Sequence, residues 1–163
     1  MTTSTVISMA PTEFELSITR LIDAPRERIF EAWTNPAMMV KWFAPAPITL
    51  AECEVDPRTG GVFRILMRAE DGTEYPSTGI YLDVVAPERI ITTDAYSPGW
   101  VPAAKPFMTT IITIEEEAGK SRYTARVRHW NAEDRDQHEQ MGFEAGWGQC
   151  LDQLEALVTQ GAD

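Results

Sequence analysis

Apolar and polar residues alternate at the start of the chain: Phe14, Leu16 and Ile18 are separated by Glu15, Ser17 and Thr19, the period of a half-buried strand. The alternation ends at Asp23-Ala24-Pro25. Proline is tolerated in the first turn of a helix, where its missing N–H costs nothing, and Ile29, Phe30 and Trp33 then recur at helical spacing. Thr34-Asn35-Pro36 restarts the chain into a second short helix with Asn35 as N-cap, carrying Met38, Met39, Trp42 and Phe43 and stopped by Pro45 and Pro47. Strand-like segments follow at 48–55, 62–68, 73–85, 89–96, 107–115 and 123–130, joined by turn clusters such as Asp71-Gly72 and Ala118-Gly119. The 97–106 stretch, rich in proline around Trp100, reads as a loop. The pattern then predicts one long helix over 132–159, capped by Asn131, with Glu133, Asp134 and Asp136 at its positive end. Its apolar stripe runs through Met141, Ala145, Gly148, Leu151, Leu154 and Val158, widened by Phe143, Trp147, Cys150 and Leu157.

This order of strand, two short helices, six strands and one long helix is an α+β pattern. A meander of antiparallel strands has one face to cover, and a single C-terminal helix covers it if the sheet curls around that helix. The 163 residues suffice for one domain with its own core. The expected division is a flexible N-terminal arm over 1–12 and one domain over 13–160. No uninterrupted apolar run reaches the roughly 18 residues that span a bilayer, and the first twelve residues lack the basic and apolar parts of a signal peptide. A cytoplasmic protein with no membrane partner is therefore expected. The 14 basic and 25 acidic residues leave a net charge of −11, which repels phosphate backbones and argues against nucleic acid.

Five segments carry a resemblance: IDAPRERIFEAWT at 22–34, WFAP at 42–45, GGVFR at 60–64, GIYLDVVAPERI at 79–90 and GWGQCLDQL at 146–154. In these the chain resembles the START-like or SRPBCC superfamily, the helix-grip fold typified by the birch-pollen allergen. Within it the chain is similar to the branch related to the activator of the 90-kDa heat-shock protein's ATPase, over about 14–158. The resemblance implies a curved antiparallel sheet of six or seven strands wrapped around a long C-terminal helix, with a cavity between them. Phe43-Ala44 stands where many relatives carry a second tryptophan and a glycine, so a differently shaped cavity mouth is expected.

Three glycines support a cavity or a close approach independently. Gly142, Gly146 and Gly148 lie in the helical pattern, where each costs roughly 1 kcal/mol relative to alanine. Either the backbone packs tightly on the sheet there or space is left for a ligand. The expected cavity residues are Trp42, Phe63, Ile65 and Met67 from the early part of the chain, and Tyr81, Asp83, Trp100 and Phe107 from the middle. His129, His138, Met141 and Ala145 complete the set. Trp100 on its loop reads as a lid or an interface anchor. Alternation puts Tyr81, Asp83 and Val85 on one face: Asp83 is then either a buried acid partnered by His129 or Arg64, or a solvated group at a strand end.

Recognisable catalytic constellations are missing from the sequence. His129 and His138 show no metal-ligand spacing and read as a hydrogen-bonded or solvated pair. Cys53 and Cys150 form no C-x-x-C pair, no nucleophile elbow occurs, and Gly60-Gly61 is not part of a phosphate loop. No metal and no cofactor are expected. The leading expectation is non-enzymatic binding of a small, largely apolar molecule. Second comes a co-chaperone-like module of a stress response, ranked lower because eukaryotic activators carry a further N-terminal domain. Third comes a cyclase- or hydrolase-type enzyme using the same cavity. A homodimer is the expected assembly, since the edges of an open sheet need protection.

Overall fold

The computed structural model describes residues 13–160; the expected arm over 1–12 lies outside the described residues. Strand β1 (Glu15–Ile22) leads into helix α1 (Arg26–Thr34) and the short helix α2 (Pro36–Met39). Strands β2 (Thr49–Val55), β3 (Val62–Arg68), β4 (Glu74–Val85) and β5 (Arg89–Thr93) follow. A small ribbon of β6 (Tyr96–Ser97) and β7 (Val101–Pro102) interrupts the sequence before β8 (Met108–Glu117) and β9 (Lys120–His129). Helices α3 (Ala132–Gln140) and α4 (Phe143–Thr159) end the chain. The main sheet is seven-stranded and wholly antiparallel, in the order β1-β9-β8-β5-β4-β3-β2. This is the α+β helix-grip architecture expected from the sequence.

Register explains which side chains face the helices. In β9, Ser121, Tyr123, Ala125, Val127 and His129 are buried in strict alternation. Leu16 and Ile18 of β1 lie opposite Val127 and Ala125, and Thr110 and Ile112 of β8 lie opposite the same two residues from the other side. Tyr123, Ala125 and Ile112 meet Trp33 of α1 and Leu151, Leu154 and Val158 of α4 in one core, and Leu16 and Val127 pack with Phe143 in a second cluster. At the far end of the sheet, Phe63, Ile65 and Met67 of β3 supply the inward row, opposite Gly79, Ser77 and Tyr75 of β4.

Three local features depart from the sequence pattern. First, the predicted 132–159 helix is two helices. Asn131 caps α3 as expected, its side chain accepting from the Asp134 N–H at 2.8 Å. The chain then breaks at Gly142, whose φ of +95° is left-handed backbone that glycine adopts without a steric penalty. Second, the α2 helix ends at Met39, and Trp42 and Phe43 sit in the turns after it, their N–H groups donating to the Met39 carbonyl. Third, the pairing of β4 with β5 shifts at Leu82, between Tyr81 opposite Thr92 and Asp83 opposite Ile91. Such a bulge inverts the alternation beyond it.

Helix α4 is fastened by polar ties as well as by its apolar stripe. Gln153 donates Nε2 to the carbonyls of Trp42 and Ala44 at 2.9 and 2.8 Å, and its Oε1 accepts from the Ala46 N–H at 3.1 Å. Arg28 of α1 donates to the Val158 and Leu157 carbonyls, serving the open C-terminal end of α4. Arg20 of β1 pairs with Asp152 and Glu155.

Candidate functional site

A hollow of about 520 Å³ lies between the inward face of the sheet, the α1–α2 segment and α4. Trp42, Phe63, Ile65 and Met67 line it, as do Phe107, His138 and Met141, all expected from the sequence. Its mouth is marked by the exposed lining residues Tyr75 and Ser77 at the start of β4 and by Met141, which is 70% exposed at the α3–α4 junction. The floor is aromatic: Trp33, Trp42 and Phe43 contact one another edge-on with ring centroids 5.1–5.2 Å apart, and Phe43 continues to Phe63 at 5.8 Å. Phe43, the departure from the common pattern, is thus part of the wall.

Helix α4 contributes open space. A Cβ built on Gly146 meets nothing within 4 Å, and Gly146 lines the hollow. Gly148 behaves differently: a Cβ there would touch Ile18 of β1 at ordinary van der Waals distance, 3.9 Å. Each of the three glycines therefore has its own role: helix break at Gly142, room at Gly146, packing at Gly148.

The remaining expected residues lie elsewhere. Tyr81 points inward but is fully buried behind Phe63, their rings 5.5 Å apart, and its hydroxyl has no partner among the described residues. Asp83 faces away from the hollow because of the Leu82 bulge, and it pairs at 2.7 Å with Arg89 rather than with His129 or Arg64. Arg64 is on the outer face with Glu54 and Glu52. Trp100 is half exposed on the β6–β7 ribbon, packed over Gly60 and edge-on to Tyr96, and does not line the hollow. Ala145 falls on the exposed side of α4, because the break at Gly142 starts a new helical phase. The buried stripe is Phe143, Leu151, Leu154 and Val158.

Polar groups on the wall are few. Thr92, Thr110 and Ser77 sit at inward strand positions, and Tyr123 accepts from Trp33 Nε1 through its hydroxyl at 3.0 Å. The inward threonines were findable from the alternation of β5 and β8, which places a small polar side chain among isoleucines. Cys150 lines the hollow and donates its thiol to the Phe43 carbonyl at 3.7 Å; burial pushes its pKa up to about 12, so the thiolate is disfavoured. Asp94 sits behind the wall, where its carboxylate accepts from the N–H groups of Phe107 and Met108 and fixes the start of β8.

His129 and His138 do meet. The carbonyl of Phe14 accepts from both the backbone N–H and the Nδ1 of His129, each at 2.9 Å. A carbonyl cannot donate, so Nδ1 of His129 carries the proton, and in the neutral ring Nε2 is an acceptor. Nε2 lies 2.9 Å from Nδ1 of His138, which donates to it when both rings are neutral. Only His138 reaches the hollow, its ring packed among Phe107, Phe143 and Trp147 at 5.3, 5.1 and 6.5 Å. Burial, reinforced by the neighbouring His129, lowers its pKa to about 4, so the ring is neutral near pH 7. Among the described residues, no group of three or more His, Cys, Asp or Glu is arranged to hold a metal ion. No helix among them is long and apolar enough to cross a membrane.

Solved structures share this architecture. A Nitrosomonas europaea protein is 35% identical, with a TM-score of 0.86 over 90% of this chain and 94% of its own. A Mycobacterium smegmatis protein is 27% identical, with a TM-score of 0.75 over 92% and 93%. A protein of Aeromonas hydrophila, described as AHSA1-like, is 23% identical over 88% and 91% and supports the fold with a TM-score of 0.68. No curated protein matches the chain. The family model described as Activator of Hsp90 ATPase homolog 1-like protein matches residues 23–159, nearly the whole domain, and the chain belongs to that family.

Proposed function

We propose that this protein binds a small, largely apolar molecule in the hollow between the sheet and α4, without transforming it. The observation that carries this reading is Gly146: a helix-weakening residue in the first turn of α4 that opens onto empty space rather than onto packed backbone. A volume of about 520 Å³ lies in the range of small-molecule sites, and mostly apolar walls with few polar groups are their usual composition. Met67, Met108 and Met141 make those walls adaptable. A binding rather than catalytic role fits the chemistry of the wall, where Cys150 is held as a thiol and His138, with a pKa of about 4, is a weak base.

The test is titration with a neutral apolar fluorophore such as N-phenyl-1-naphthylamine. Fluorescence should rise saturably with the native chain, and Gly146→Trp should abolish the rise while the variant stays folded. Equal binding by a folded Gly146→Trp variant would overturn the reading. The family description favours a second reading, a co-chaperone-like module acting on the 90-kDa heat-shock protein. Stimulation of that chaperone's ATPase by the purified chain, unchanged in Gly146→Trp, would support it over the first.

A further inference from the structure

The hydrogen-bond chain from Phe14 through the two histidines ends at a specific atom. Phe14 fixes the proton on Nδ1 of His129, and His129 fixes the proton on Nδ1 of His138. The nitrogens of an imidazole point to nearly opposite sides of the ring. Nε2 of His138 therefore points away from His129, carries a lone pair, and has no partner among the described residues. It is an acceptor oriented by two preceding hydrogen bonds, on a residue that lines an aromatic hollow.

The surroundings restrict what can use it. Among the described residues, no Asp, Glu, Lys or Arg lines the hollow, so a charged ligand would find no counter-charge there. The net charge of −11 further disfavours an anion. Around His138 stand Phe107, Phe143 and Trp147, with Phe143 and Trp147 stacked at 5.3 Å and an interplanar angle of 28°. Aromatic surfaces of this kind favour a flat ring as occupant. A ligand with no donor would strip water from Nε2 and leave it unpaired, whereas one with a neutral O–H would satisfy it.

Resting on the reading of the hollow as a binding site, we propose that its ligand is an uncharged aromatic compound bearing a hydroxyl group, of the phenol or naphthol class, whose O–H donates to Nε2 of His138. His138 is then the residue that distinguishes a hydroxylated ring from the same ring without a donor. Thr110 and Thr92 lie on the sheet side of the hollow and contribute further polar contacts.

The test compares 2-naphthol with its methyl ether, 2-methoxynaphthalene, by calorimetric titration of the full chain at pH 7. The two share a ring system and differ in the donor. One neutral hydrogen bond predicts that 2-naphthol binds about 3- to 10-fold more tightly. The preference should vanish in His138→Phe and partly return in His138→Gln, whose amide oxygen accepts. In native protein the 15N resonance of His138 Nε2 should shift with the naphthol and not with the ether, a readout that does not depend on any variant folding. Equal binding of the two compounds, or a preference undiminished in folded His138→Phe, would overturn the assignment while leaving the binding site standing. Failure of both compounds to bind would overturn the site itself.

Discussion

Trp33 and Tyr123 are joined by a hydrogen bond of 3.0 Å from the indole Nε1 to the phenol oxygen, across the junction of α1 with β9. Both residues are about 2% exposed, and both line the hollow. The bond satisfies a buried N–H at the place where the helical end of the site meets the sheet. Burial drives the Tyr123 pKa upward, so the hydroxyl stays protonated.

Tyr123→Phe removes the acceptor and keeps the ring. Trp33 Nε1 is then buried without a partner, and a loss of about 1–3 kcal/mol is expected. Urea denaturation should show a lower midpoint with an unchanged slope. A midpoint equal to that of the native chain would mean that water replaces the phenol.

Gly146 separates space from packing. Gly146→Ala adds a methyl that meets no neighbour and restores helix propensity, so α4 should gain up to about 1 kcal/mol in thermal or urea unfolding. Gly148→Leu, pointing at Ile18, should instead overpack the helix–sheet contact and destabilise by about 1–3 kcal/mol. Destabilisation by both, or by neither, would contradict the roles assigned to them.

Much of this architecture was legible in the chain because it rests on local periodicity. All seven strands of the main sheet are legible as alternating or strand-like segments bounded by turn residues, and Asn35 and Asn131 cap their helices as their side chains suggest. The features that escaped are set by partners distant in sequence or by degenerate signals. The Leu82 bulge arises only when β4 pairs with β5, and it turned Asp83 from the interior toward Arg89. Gly142 and Gly146 carry the same cost in a helical pattern, yet one breaks the helix and the other opens the hollow. Trp100 reads in the sequence as a lid or an interface anchor, because a large aromatic on a loop is costly to expose. The β6–β7 ribbon instead seats one face of it on Gly60, where the absence of a side chain leaves room. The histidine pair was legible as a contact, but which ring reaches the hollow depends on the Phe14 carbonyl.

Gln153 binds the segment after α2 to α4 with both ends of its amide, through Trp42, Ala44 and Ala46. Gln153→Leu preserves size and removes every one of these bonds. A loss of about 1–3 kcal/mol is expected, together with faster hydrogen exchange at the Ala46 amide, which loses its acceptor. Exchange at Ala46 unchanged from the native chain would show that the loop is held by its apolar contacts alone.

His138 sets a direction for the pH dependence of stability. Its pKa is about 4 in the folded chain against an ordinary value of 6.5, because burial and the adjacent His129 disfavour the charged ring. The unfolded chain therefore binds the proton more readily than the folded one. Stability from this group is fully present above pH 6.5 and is lost as the pH falls toward 4. Between those values one site steepens the unfolding equilibrium by up to tenfold per pH unit. Replacing His138 with Phe removes the group that resists protonation, and the decline in urea midpoint between pH 6.5 and 4 should become shallower than in the native chain. Identical slopes for the two proteins would place the acid sensitivity in the carboxylates instead.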